Sequence, residues 1–186
     1  MPYIETIDYA DAEGELKSIY DNLLETRGKL ADVHIIQSLN PKSIVNHMDL
    51  YMTIMFGKSP LKRVQREMMA VVVSSSNNCD YCILHHAEAV NHYWKDNIKL
   101  DLLKNDFEKI EFSDVDLELC RFAKQLTLQP NHDNQSSIAK LKGLGLTDRA
   151  ILDGTMVVAY FNFVNRIVLG LGLDVNEEEI AGYEYE

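Results

Sequence analysis

Apolar residues recur at three- and four-residue spacing along almost the whole 186-residue chain, and no segment shows a sustained strand-like alternation bounded by hairpin signals. That periodicity predicts an all-α fold. A helix after Asp11 carries Leu16, Ile19, Tyr20, Leu23 and Leu24 on one stripe and stops at Gly28, where a left-handed cap costs least. A short helix around VHIIQSLN ends before Pro41, and the next runs from about Lys42 to Phe56, closed by Gly57. Ser59 as N-cap and Pro60 at the first helical position predict a helix starting there and running through LKRVQREMMAVVV. SSSNN interrupts it, and Ser76, Asn77 or Asn78 is placed to cap a new helix from about Cys79 to Asp96. Ser113 caps a helix over DVDLELCRFAKQL. QPNHDNQ reads as loop, and two helices follow, about Ser136 to Lys142 and Asp148 to Gly170, the second capped by Thr147. The acidic carboxyl terminus is expected to fray.

This length suits one domain over residues 1–186, with a core large enough to need neither a disulfide nor a metal for folding. The start MPYIETIDYA has no basic or apolar leader, and the densest apolar run, TMVVAYF, falls short of a membrane span, so the chain reads as soluble and cytoplasmic. The formal net charge of −11, with no basic run, opposes nucleic-acid binding. IAKLKGLGLTDRAILD has the outline of a helix-turn-helix, but the second helix continues into GTMVVAYFNFVNRIVLGLG, too apolar for a DNA groove. Such a helix suits a core or a subunit interface, and Asn162 and Asn165 could reach the site from it.

Two of only three cysteines sit in NNCDYCILHH beside two histidines. A small, odd cysteine count in a chain of this class points to catalysis or metal binding rather than a disulfide scaffold. On a helix starting at Cys79, Cys82 falls about 300° round, His86 about 340° and His85 about 240°. Cys79, Cys82 and His86 therefore share a face, with His86 one turn after Cys82. Glu67 can face them only across the SSSNN break. A helix N-terminus and a neighbouring imidazole each favour a thiolate; the dipole favours Cys79, the adjacent imidazole Cys82, and Cys82 is the thiol this reading prefers. A zinc site would need a fourth ligand from His85, His92, Glu67 or Cys120, none of which forms a second ligand pair, so no metal or cofactor is assigned. Cys120, among Leu117, Leu119 and Phe122, reads as a core residue.

EMMAVVVSSSNNCDYCILHH places Glu67, Cys79, Cys82 and His86 at the spacing Glu, eleven residues, Cys, two, Cys, three, His. This resembles the AhpD-like alkylhydroperoxidase motif of the carboxymuconolactone decarboxylase superfamily, and the length and YFNFVNRIVLGLG resemble its peroxidase-related branch. The resemblance implies an all-helical homo-oligomer in which Cys82 attacks a hydroperoxide and Cys79 resolves the sulfenic acid as a disulfide. It also implies that His86, linked to Glu67, takes the thiol proton, and that a dithiol, a lipoylated or thioredoxin-like protein, restores the thiols. AhpD proteins carry histidine where this chain has Tyr81, and a phenol near pKa 10 cannot replace imidazole as a proton shuttle at neutral pH. Tyr81 and His85 are assigned to the surroundings of the site. A lactone decarboxylase of the wider superfamily is the alternative enzyme, and a zinc-binding or redox-sensing module the alternative outside catalysis.

Overall fold

Every residue from Arg66 to Ser74 is buried, so the helix that carries them, α4 (Arg63–Ser76), has no solvent face along most of its length and must lie at the centre of the core. The computed structural model describes residues 2–175, and among them all regular structure is helical. Around α4 pack α5 (Asp80–Trp94), α7 (Asp114–Leu128) and α9 (Asp148–Leu171). At Gly154 of α9 an added Cβ would lie 3.3 Å from Met69 Cε, so the missing side chain lets α9 close on α4. Between these helices lie α6 (Asn97–Asn105), a 3₁₀ turn at Phe107–Lys109 and α8 (Asn134–Gly143). A second, smaller apolar cluster joins Leu16, Tyr20 and Leu23 of α1 (Gly14–Arg27) to Ile44 of α3 (Pro41–Tyr51), with the single turn α2 (Asp32–Ile35) between them.

Several helix ends follow the expected chemistry. Gly28 closes α1 in the left-handed region at φ 69°, Ser113 Oγ accepts from Asp116 N, and Thr147 Oγ1 accepts from Ala150 N. Other ends differ. Ser59 does not cap α4: its hydroxyl donates to Asp153 and accepts from Leu61 N, holding a bend, and α4 starts at Arg63 with Gln65 Oε1 accepting from Lys62 N. The expected Lys42–Phe56 helix begins at Pro41 and changes at Met52 into a π-helical turn, Met52–Phe56. Arg66 Nη1 donates to the Ile54 and Gly57 carbonyls and ties that turn to α4. Helix α8 is capped by Asp133 rather than opening at Ser136, and α6, capped by Asp96, fills a region where the sequence pattern assigned no helix.

The helix-turn-helix outline corresponds to α8, a turn and the start of α9, whose Ala150, Ile151, Val157 and Val158 are buried. As a whole, α9 is long and apolar enough to cross a membrane by length and composition, which TMVVAYF alone does not suggest; it lies against α4 and α7. The fraying assigned to the carboxyl terminus falls outside the described residues.

Candidate active site

The SSSNN break is the end of one helix rather than the cap of the next. Asn78 adopts φ 55°, its N–H donates to Ser75 O, and Cys79 N–H donates to Ser74 O, the paired bonds of a Schellman motif. Asparagine tolerates this left-handed conformation better than most side chains. Cys79 is thereby both the last residue of that motif and the N-cap of α5, its carbonyl accepting from Ile83 N. The tight reversal lays α5 along α4, bringing Glu67, twelve positions before Cys79, against His86.

Glu67 is fully buried, and its carboxylate is held from both sides. Oε2 lies 2.7 Å from His86 Nδ1, and Oε1 accepts from Arg63 Nε at 2.7 Å. Burial pushes the Glu67 carboxyl up, but the charges and hydrogen bonds of His86 and Arg63 outweigh it and hold the group below the ordinary carboxylate range. An ionised Glu67 must accept, so His86 Nδ1 carries the proton facing it and Nε2 is the nitrogen left to take another. The His86 ring stands edge-on to Phe161 at 4.4 Å.

Cys79 and Cys82 are free thiols with sulfurs 3.0 Å apart. While both are protonated either can donate to the other. The hydrogen bond offered by Cys82 holds the Cys79 thiol below its ordinary value against burial, whereas that bond and burial push Cys82 well above. The two thiols thus share one hydrogen bond and titrate as a pair. The i, i+4 argument placed His86 beside Cys82, yet Cys79 is the sulfur to which the shared hydrogen bond gives the charge. Access differs in the opposite sense: Cys82 lines a cavity of about 870 Å³, and Cys79 does not. Asn165 reaches Cys82 and favours its thiolate, and Asn77 Nδ2 donates to Asn165 Oδ1 at 2.9 Å. Asn162 is directed instead to Asn77, Thr127 and Arg166.

The same cavity is lined by Glu67, His86, Tyr81 and His85, and also by Arg63, His47, Tyr51 and Tyr160, which the sequence reading did not single out. Tyr81 packs 4.2 Å from the His85 ring, and its hydroxyl accepts from Val33 N, so it fastens the α2 segment beside the cavity. His85 Nδ1 donates to the Tyr81 carbonyl. Arg63 stacks over Phe56 at 3.6 Å, and burial pushes the Tyr51 hydroxyl up to about 12. Cys120 lies in the core cluster, with burial pushing its thiol far up. Among the described residues no group of three or more His, Cys, Asp or Glu side chains is placed to hold a metal ion.

The carboxymuconolactone decarboxylase family profile matches residues 46–92, the stretch that contains all four motif residues. No curated protein sequence matches the chain. Solved structures do. A peroxidase-related protein from Silicibacter sp. TM1040 is 26% identical with TM-score 0.84, over 98% of each chain. A peroxidase-related protein from Ralstonia eutropha JMP134, described as an alkylhydroperoxidase AhpD core, is 20% identical with TM-score 0.85, over 96% of this chain and 94% of that one. The debrominase Bmp8 shares the fold at 17% identity and TM-score 0.77, over 96% and 98%. The chain is thus similar to the carboxymuconolactone decarboxylase family over residues 46–92, and along nearly its whole length it has the fold of AhpD-like, peroxidase-related proteins.

Proposed function

We propose that this chain is a thiol-dependent peroxidase that reduces organic hydroperoxides through Cys82 and Cys79. The observation that carries the reading is the meeting, in one cavity, of Cys82 with the Arg63–Glu67–His86 chain, while the Cys79 sulfur lies 3.0 Å from that of Cys82. His86 Nε2 accepts the Cys82 proton as the sulfur attacks the terminal peroxide oxygen, and Glu67 offsets the positive charge that forms on the ring. The O–O bond breaks with its electron pair leaving on the alkoxide, which takes the proton from His86. Cys82 is then a sulfenic acid and the product an alcohol. Cys79 attacks Cys82, water leaves, and an external dithiol, lipoylated or thioredoxin-like, reduces the disulfide. The acidity order does not oppose this route: the two thiols titrate as a pair, and the small fraction with charge on Cys82 carries the more basic and more nucleophilic thiolate.

Hydroperoxide consumption with a dithiol reductant tests the reading. Cys82→Ser abolishes turnover, and Cys79→Ser allows one oxidation and then stalls; undiminished rates in both variants remove the proposal. A soluble homo-oligomer is part of it, supported by the exposed apolar stripe of α9, where Leu152 is 54% and Phe163 45% exposed, and light scattering would reveal a monomer instead.

A second reading has one support. A Bmp8 variant with cysteine replaced by alanine is solved with 2,3,4-tribromopyrrole, and the present cavity is walled by Tyr51, Phe56, Tyr93 and Phe161. In that case the thiol pair would be oxidised to a disulfide as a bromoarene becomes an arene and bromide. Bromide release from a bromopyrrole, with no consumption of hydroperoxide, would favour it.

A further inference from the structure

His47 and Tyr160, which line the same cavity, belong to a second chain of polar groups that the proposed mechanism leaves unused. Gln37 follows α2, His47 sits in α3 and Tyr160 in α9. Gln37 Nε2 is 2.7 Å from the Val33 carbonyl and 2.8 Å from His47 Nδ1. A carbonyl can only accept, so the Gln37 atom between these partners is its amide nitrogen, and Nδ1 must accept from it. A neutral imidazole carries one N–H, which is then on Nε2, 2.6 Å from the Tyr160 hydroxyl oxygen. Burial lowers His47 to about 4, so the ring is neutral at pH 7. The Tyr160 oxygen thus receives a hydrogen bond from His47, and its own hydrogen cannot point back along that line.

That hydrogen has a destination in the site. Among the described residues His47 is the only hydrogen-bond partner of the Tyr160 hydroxyl, and Tyr160 lines the same cavity as Cys82 and His86. Its ring meets Phe161 edge-on at 5.0 Å, the same Phe161 that abuts His86.

We propose that Tyr160, oriented by Gln37 and His47, donates its hydroxyl hydrogen bond to the leaving oxygen of the hydroperoxide; the assignment rests on the peroxidase reading. In the attack, sulfur bonds the terminal oxygen, the O–O bond breaks, and negative charge gathers on the alkoxide oxygen. A fixed donor aimed at that oxygen acts where charge develops rather than on the resting substrate. Burial, with Tyr51, Cys82 and Glu67 nearby, pushes the Tyr160 phenol well above its ordinary value, so Tyr160 keeps its proton throughout. The proton that completes the alcohol is the one His86 took from Cys82. Tyr160 is the catalytic group here, and Gln37 and His47 position it.

Rapid-mixing oxidation of reduced protein by two oxidants tests this, one with a poor leaving group, tert-butyl hydroperoxide, and one with a good one, peracetic acid. Tyr160→Phe lowers the rate constant for tert-butyl hydroperoxide about 100-fold, the cost of one lost oxyanion donor, and that for peracetic acid far less. Thiol alkylation by iodoacetamide, whose leaving iodide needs no such donor, keeps its wild-type rate. His47→Gln, which retains an N–H at the same reach, keeps most of the leaving-group discrimination, and His47→Leu loses it. An equal loss with both oxidants in Tyr160→Phe, or none with either, overturns the assignment while leaving the peroxidase reading intact. A wild-type protein inert to both oxidants removes the reading and the assignment together.

Discussion

Two imidazoles, the buried His47 and the half-buried His86, face one cavity and differ in a single kind of partner. His86 Nδ1 meets the Glu67 carboxylate at 2.7 Å, and Arg63 braces that carboxylate from the other side. His47 Nδ1 meets the Gln37 amide at 2.8 Å, and its Nε2 meets a phenol. A carboxylate supplies the charge that a protonated ring needs in a low-dielectric setting, and an amide supplies only a dipole. His86 is therefore suited to receive a proton, and His47, lowered to about 4 by burial, to remain a neutral donor that aims Tyr160. On the proposed mechanism, the same side chain serves as base or as brace according to whether the residue behind it is Glu or Gln.

The sharpest way to break this contrast is Glu67→Gln, which gives His86 the kind of partner His47 has. The rate constant for Cys82 oxidation by hydroperoxide should fall by about 10²- to 10⁴-fold, the range of general-base contributions, as read by rapid mixing. Loss of the buried anion also leaves Arg63 unpaired, and the urea midpoint should report a destabilisation of about 3 kcal/mol. A rate within a factor of a few of wild type would mean that the carboxylate does not set the role of His86.

The next effect isolates His47. Its folded value of about 4 lies below the unfolded value near 6.5, so the unfolded chain binds the proton first as pH falls. The contribution to stability is complete above about pH 6.5 and is lost progressively down to about pH 4, to a total of about 3 kcal/mol. Urea midpoints at pH 7 and pH 4.5 measure it. Glu67, held below its ordinary value, adds to the same acid loss at lower pH, so the diagnostic result is a shallower slope in His47→Gln across the pH 4.5 to 7 interval. An unchanged slope there would show that His47 is not the group titrating.

Only one of these two imidazoles was visible in the sequence. Glu67, Cys79, Cys82 and His86 lie within twenty positions on consecutive helices, and their spacing survives in one dimension because the helices fix it. His47 and Tyr160 are 113 positions apart, and no periodicity links them. Arg63 was nearer to being legible: it stands one helical turn before Glu67, the spacing of an i, i+4 pair, but such pairs carry little weight on an exposed helix, and spacing alone does not show that this one is buried. The caps misassigned at Ser59 and at Ser76–Asn78 share one cause. Both residue types can cap a helix or hold a turn, and the choice was made by tertiary partners, Asp153 for the first and the α4–α5 reversal for the second. Helical phase shows that the two thiols and His86 are neighbours, whereas how charge is shared between the thiols follows the direction of the hydrogen bond between them, which phase does not give.

Arg63 also provides the mildest test. Arg63→Lys keeps a positive charge one turn from Glu67 but removes the planar group that stacks over Phe56 and places both Nε and Nη2 on Glu67 Oε1. The Glu67–His86 hydrogen bond does not involve the replaced atoms, so the proton-accepting role of His86 should survive. Stability should fall by about 1 kcal/mol, the scale of a lost cation–π contact at a partly exposed site, and Cys82 oxidation should slow less than the about 100-fold minimum expected of Glu67→Gln. If Arg63→Lys instead loses as much rate as Glu67→Gln, the guanidinium geometry rather than the carboxylate charge orients His86, and the contrast between the two histidines would have to be drawn one residue further back, at Arg63 itself.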